Sequence, residues 1–274
     1  MIVPDLPSPD DIKLIAFDLD GTLFGHDRQI SDRTAATLAR VSELGIRLII
    51  ASGRSQTSII PRTGNVPFIQ WAVCSNGATL FDLKAMTAAQ VWIIDEAHLA
   101  EMISRFEATL PDIVWAWEDT TGHHWTEAFM TSGLHDAIRG NIVADHERPS
   151  ADALKILIGH ERLHRYDLLD VLADVVPHGL GISTSGAEFV EVTASGVNKG
   201  AGVAGLCQRL AIDAANVAAF GDNVNDLEMM DWVGHSFAMA NAHPSVIEVS
   251  DHQTEMSHDF DGVANTLEQL FNLS

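Results

Sequence analysis

Four short stretches are apolar almost without interruption: Leu14-Ile15-Ala16-Phe17, Leu48-Ile49-Ile50-Ala51 behind Arg47, Trp71-Ala72-Val73-Cys74 and Val217-Ala218-Ala219-Phe220. Unbroken runs of this length predict strands buried on both faces, not the alternating strands of a half-solvated sheet. Between the first two runs, Ala35, Leu38, Val41 and Leu44 recur at helical spacing. Ser31 stands before them as an N-cap and Gly45 follows as a stop. Strand, helix, strand in this order predicts a parallel sheet built from crossover units. Late in the chain the pattern returns. A helix opens at Val197-Asn198-Lys199-Gly200 and runs through Leu210, and Asp226 to Trp232 gives a further turn or two. Ser236 to Ala240 reads as a short strand, and Val263, Leu267, Leu270 and Phe271 give a closing helix its apolar face.

The middle has a different texture. Val91-Trp92-Ile93-Ile94, Ile113 to Trp117, His123 to Thr126 and Leu154 to Ile158 read as strands. Leu99, Met102, Ile103 and Phe106 have helical spacing, as does the stretch from Leu163 to Val176. Ile182 to Thr184 and Phe189 to Val192 are short strands. The Trp side chains here are read as core, and Glu188 and Glu191 as solvated. The expected fold is therefore α/β: a Rossmann-like parallel sheet with helices on both faces, plus an inserted α+β domain. The expected core is 1–84 with 190–274, and the insertion 85–189, joined by two crossing linkers.

Candidate chemistry sits at the ends of the apolar runs. Asp18-Leu19-Asp20-Gly21-Thr22-Leu23 follows the first, Ser52-Gly53-Arg54 the second, and Gly221-Asp222 with Asn225-Asp226 the last, while Lys199 opens a helix. In an open parallel sheet such ends converge on one edge, where ligands bind. Gathered carboxylates repel unless a cation lies among them, and oxygen-only ligands favour Mg2+ over zinc. Lys199 and a hydroxyl would then suit a phosphoryl group. Arg54 is read as one half of a structural ion pair. His123 and His124 would face opposite sides of a strand and cannot share one ion. The other histidines show no ligand-like spacing.

Charge narrows the partners. Asp plus Glu is 38 against 16 Lys plus Arg, a net −22, which argues against a nucleic-acid backbone or an anionic membrane. It does not argue against a small anionic substrate, because a metal inverts the local field. Hydrophobic residues at 46% and charged residues at 20% fit a folded globular chain. Cys74 and Cys207 lie in apolar contexts and read as reduced thiols, which with the lack of a signal-peptide pattern near Met1 gives a cytoplasmic expectation. No apolar stretch approaches a membrane span.

Taken together, Asp-Leu-Asp-Gly-Thr-Leu at 18–23, Ala-Ser-Gly-Arg at 51–54, Gly-Val-Asn-Lys-Gly at 196–200 and Gly-Asp-Asn-Val-Asn-Asp at 221–226 resemble, in that order, the motifs of haloacid-dehalogenase-superfamily phosphatases of the Cof type, with a type IIB cap. Ser75-Asn76-Gly77-Ala78 and Asp261-Gly262-Val263-Ala264 also match. The resemblance implies that Asp18 is the nucleophile and Asp20 the general acid and base. It implies Mg2+ held by the side chains of Asp18 and Asp222 and the backbone carbonyl of Asp20. It implies that Ser52, Lys199 and Asn225, with the amides of Leu19 and Gly53, hold phosphate oxygens, and that Asp226 orients its loop from behind. The implied activity is hydrolysis of small phosphorylated metabolites, sugar phosphates foremost, by a monomer or homodimer, with the inserted cap selecting the substrate. A phosphomutase of the same fold is the alternative, but the few basic residues of the insertion form no clear second phosphate clamp. A non-catalytic phosphate-sensing regulator is disfavoured by the intact acidic set.

Overall fold

The computed structural model describes residues 6–133, 140–149, 152–184 and 187–273. In the first part of the chain, β1 is Leu14–Phe17, α1 Asp32–Glu43, β2 Arg47–Ala51, α2 Gln56–Ile59, β3 Trp71–Cys74, β4 Thr79–Asp82 and β5 Thr87–Val91. The middle contributes α3 Glu96–Thr109, β6 Ile113–Asp119, β7 His123–Thr126, α4 Glu127–Thr131, β8 Asn141–Val143, β9 Ala153–His160, α5 Arg165–Ala173, β10 Leu180–Ser183 and β11 Val190–Ala194. The last part holds α6 Lys199–Leu210, β12 Val217–Gly221, α7 Leu227–Trp232, β13 His235–Ala238, α8 Pro244–Val249, β14 His252–Gln253 and α9 Gly262–Leu270.

Two compact units result: one through Gln90 and again from Asn198, the other Val91–Val197. The first unit carries an eight-stranded sheet in the order β14-β13-β12-β1-β2-β3-β4-β5. From β14 to β3 every neighbour is parallel, and β4 turns back antiparallel on β3. All of β1 and all of β12 are buried, as their unbroken apolar runs require. Phe17, Phe220, Phe237 and His252 stack in succession across four strands, with ring centroids 5.5, 4.7 and 4.8 Å apart. Helix α1 starts where expected, with the Ser31 hydroxyl accepting the Thr34 N–H, and Gly45 follows it at φ 88°. Arg33 and Thr37 of α1 both donate to Glu268 of α9, so the two helices are joined across the surface.

The chain leaves β1 towards β2 on one side, whereas β12 lies on its other side. The sheet's order therefore reverses at β1, and the crevice at such a switch point is where α/β folds bind ligands.

The second unit is a six-stranded sheet, β10-β11-β9-β6-β7-β8, antiparallel except for β7 and β8. Alternation sorts its residues. Trp115, Trp117, Ile156, Ile158, Val190 and Val192 pack with Leu99, Met102 and Phe106 of α3 and Leu168 and Leu172 of α5. Val114, Ala116, Trp125 and Leu157 pack with Phe129 and Phe189. Trp115, Trp117 and Trp125 are core, as read, whereas Trp92 is only half-buried and packs in neither cluster. His123 and His124 stack on Trp125 and Trp117 respectively, and burial pushes His123 down to about 4.

Three expectations change. Val91 to Ile94 is not a strand: β5 ends at Val91, Ile93 is exposed, and Ile94 turns into the second unit, its N–H donating to Ala153 O. Phe189 to Val192 overlaps β11, which pairs with β9 and β10, while β5 belongs to the first sheet, so the second unit is Val91–Val197 and not the expected 85–189. Glu191 is not solvated; it is buried and its Oε1 accepts from Lys155 Nζ at 2.7 Å. An apolar run declares a strand, but not which sheet will take it. Both cysteines are buried free thiols, and burial pushes Cys207 up to about 11. Among the described residues, no helix is long and apolar enough to cross a membrane.

Candidate active site

The ends of β1, β2 and β12, with the first turn of α6, bring most of the predicted residues together. Asp18 leaves β1 with its N–H still donating to Phe220 O at 3.0 Å, which fixes it beside β12. Lys199, wholly inside at 1% exposure, donates through Nζ to Asp18 Oδ1 at 2.6 Å and to Asp226 Oδ1 at 2.7 Å. The second oxygen of Asp226 accepts the N–H groups of Asp222 and Asn223, each at 3.0 Å. Asp226 thus shapes the loop after β12 with both oxygens engaged. One oxygen from each of Asp18, Asp222 and Asp226 lies within 4.8 Å of the others.

Gly21 makes this convergence possible. Its φ is 82°, and a Cβ there would lie 2.3 Å from Asp222 Oδ2. Thr22 then donates its hydroxyl to Asp222 Oδ1 at 3.2 Å. Gly77, at φ 99°, lets a left-handed turn press against the Asn198 backbone just before Lys199, where a Cβ would meet Asn198 O at 2.2 Å. In that turn, Asn76 accepts the Asn225 side-chain amide at 3.1 Å. The Ser52 hydroxyl is buried and accepts the Arg54 N–H at 3.2 Å, while Ser52 O accepts Asn76 N–H at 3.1 Å. Ser52 and Asn225 are thus tied to one turn. Leu19 is fully buried, so only its backbone can serve a ligand.

Asp20 takes a different direction. Arg54 grips both its oxygens, Nε to Oδ2 and Nη2 to Oδ1, each at 2.6 Å. The ion pair expected of Arg54 is therefore made with a predicted site residue, which the sequence reading did not foresee. Thr22 and Asn76 were also passed over as site residues, although both stand inside the motifs quoted.

Electrostatics mark the cluster as short of positive charge. Burial, and then the charges of Asp226 and Asp20, push Asp18 up to about 7 despite Lys199. Burial, Asp18 and Asp226 push Asp222 up to about 9. Burial works against the Lys199 ammonium, but Asp18 and Asp226 outweigh it and hold Lys199 above its ordinary value. Three carboxylates against one ammonium leave an all-oxygen donor set, which fits a hard divalent cation.

Known proteins resemble this chain over most of its length. The family model of haloacid dehalogenase-like hydrolases matches residues 15–267. The chain is 26% identical over 270 residues to 5-amino-6-(5-phospho-D-ribitylamino)uracil phosphatase YcsE of Bacillus subtilis, covering 94% of this chain and 95% of that protein. It is 27% identical over 259 residues to the HMP-PP phosphatase of Escherichia coli, covering 90% of each. Among solved structures, BT1666 from Bacteroides thetaiotaomicron, one of the phosphatases of the haloalkanoate enzyme superfamily, superposes with a TM-score of 0.80 at 20% identity, covering 98% of each chain.

Proposed function

The chain belongs to the haloacid dehalogenase-like hydrolase family, and from that premise we propose that it is a Mg2+-dependent phosphatase of small phosphorylated metabolites. The observation that carries this reading is the buried Asp18 carboxylate held 2.6 Å from the Lys199 ammonium, with Asp222 beside it. A carboxylate so fixed is a nucleophile that needs no further orientation. One of its oxygens attacks phosphorus as the ester P–O bond breaks, leaving an aspartyl-phosphate. Asp20 gives its proton to the departing alkoxide, then takes one from the water that attacks phosphorus and frees Asp18. Because Arg54 grips both oxygens of Asp20, Asp20 must trade that grip for the substrate before it can act.

Lys199, the Ser52 hydroxyl, the Asn225 amide and the N–H groups of Leu19 and Gly53 are assigned to the phosphate oxygens. Asp18 and Asp222 side chains with the Asp20 carbonyl are assigned to Mg2+, and Asp226 to the loop behind them. When bound, Mg2+ supplies charge neutralisation between nucleophile and phosphate. The Bacillus relative is named for a phosphate ester on a ribityl chain. By that likeness the leaving group is a sugar or sugar alcohol.

The direct test is phosphate release from a panel of sugar phosphates and an aryl phosphate, with Mg2+ and with EDTA. Release that needs Mg2+ supports the reading; none from any ester overturns it. Asp20→Asn should keep Mg2+ binding and lose most activity on alkyl phosphates, about 10²–10⁴-fold, and less on aryl phosphates, whose leaving groups need no proton. Equal losses on both would remove Asp20 from the acid role.

A pH dependence follows from the raised carboxylates. Asp18 and Asp222 bind protons more tightly folded than unfolded, where a carboxyl titrates near 4. Over that window the native state holds more protons, so the slope of stability against pH is negative. Metal-free protein is expected to be most stable below about pH 4, as far as these two groups are concerned, and to lose that stability through about 7 and 9. Mg2+ replaces the protons, so its stabilisation should grow as pH rises. Melting curves with and without Mg2+ from pH 5 to 9 measure this, and a constant Mg2+ effect would contradict it.

A further inference from the structure

A second group of metal-ligating side chains, sharing no residue with the first, lies in the first unit. His26 stands in the turn after Phe24, and His258 and Asp259 in a single helical turn, His258–Phe260, just before α9. Each offers one ligand atom within 4.8 Å of the other two. We propose that His26, His258 and Asp259 bind a divalent transition metal, Zn2+ by preference, which pins the turn beyond the catalytic loop to the entrance of α9.

The separations leave room for an ion between the rings and the carboxylate. His26 Nδ1 lies 3.4 Å from Asp259 Oδ2, and His258 Nε2 3.4 Å from Asp259 Oδ1. Both exceed the roughly 2.7–3.2 Å of an N–H···O hydrogen bond. The two imidazoles face different oxygens of Asp259, so the carboxylate would meet an ion with both oxygens, one towards each ring. The backbone already holds the ligands in place. His26 N–H donates to Asp259 Oδ1 at 2.9 Å, and His258 N–H to Asn241 Oδ1 at 3.1 Å. The turn carrying His26 is closed by Gly25 N–H to Gln29 O at 3.0 Å and Arg28 N–H to Gly25 O at 2.8 Å.

The surroundings point the same way. The three residues line a cavity of about 860 Å³ that also takes in Asp27, Asp32 and Asp261, and Arg62 is the single Lys or Arg among its described lining residues. Asp261 is engaged by the Ser31 and Thr34 hydroxyls, so it adds charge without being a ligand. Two imidazoles and one carboxylate form a mixed nitrogen and oxygen set that suits zinc and not Mg2+. Three protein ligands leave a fourth position for water from the cavity. The His26 side chain is 93% exposed, so packing does not hold its ring where it is.

Calorimetric titration of the full-length protein with Zn2+, in excess Mg2+ to occupy the catalytic carboxylates, tests the proposal, with Co2+ absorbance as a reporter of tetrahedral geometry. One Zn2+ is expected to bind and to raise the melting temperature. His26→Ala and His258→Ala should each weaken it more than about 100-fold, because even the hydrogen-bond partners of ligands are worth 10–100-fold. Asp222→Ala should leave this Zn2+ in place. His26 is so exposed that its substitution should not alter the melting temperature in EDTA, which separates ligation from folding. The proposal is overturned if no Zn2+ binds beside Mg2+, if binding survives both histidine substitutions, or if Asp222→Ala alone removes it.

Discussion

Asp18→Asn is expected to fold, melt close to the native temperature and release no measurable phosphate. The amide keeps the shape of the carboxylate, and its oxygen can still accept from Lys199. It cannot attack phosphorus, and it ligates a hard cation poorly. Removing the nucleophile of a covalent mechanism costs on the order of 10⁶-fold in turnover where it has been isolated. Steady-state assay and mass spectrometry of acid-quenched enzyme give two readouts. The native enzyme should carry a phosphoryl adduct that the variant lacks. A folded Asp18→Asn protein with native turnover would falsify the nucleophile assignment.

Lys199→Met should affect stability and activity in separable ways. The side chain is buried and its ammonium is the shared partner of Asp18 and Asp226. Taking one partner from a buried charge cluster typically costs about 3–5 kcal/mol. For a chain of this size that is roughly a 10 °C fall in melting temperature. Mg2+ should restore part of the stability, since it neutralises the same carboxylates. Activity should fall about 10²–10³-fold, the scale of losing one charge-stabilising donor, and Mg2+ should not restore it. Asp222→Ala should behave in the opposite way, with activity recovering at high Mg2+. Rescue of Lys199→Met and not of Asp222→Ala would exchange the two roles.

Much of the core was legible because its central strands are buried on both faces. Leu14–Phe17 and Val217–Gly221 could hardly be anything but strands, and the polar residues after them had to lie at the sheet's edge. Ser31 and Gly45 marked α1 for local reasons that tertiary packing did not override. Pairings were less legible. Thr87–Val91 is an exposed strand of the sheet's end with little apolar signal, and β14 has two residues. Glu191 is buried because β11 and β9 set it near Lys155, and register between distant strands is not written in either one. His26 and Asp259 are 233 positions apart, so no local spacing could join them. The grip of Arg54 on Asp20 was hidden for a similar reason: both residues were noticed, but the strand ends that bring them face to face lie 34 positions apart.

Strand β1 pairs on one side with β2, which follows within about thirty residues, and on the other with β12, which begins at Val217. During synthesis, at roughly 5–20 residues per second, the edge of Leu14–Phe17 that awaits β12 stays open for about 10–40 s. That edge is apolar and fully hydrogen-bond competent, the kind that recruits other chains. The intervening Val91–Val197 stretch is continuous and can close on itself meanwhile. The nascent chain therefore passes through a stage with one finished unit and one half-built sheet. Refolding of the whole chain should show a fast phase reported by the tryptophans of the continuous unit, and a slower one in which the catalytic carboxylates first meet.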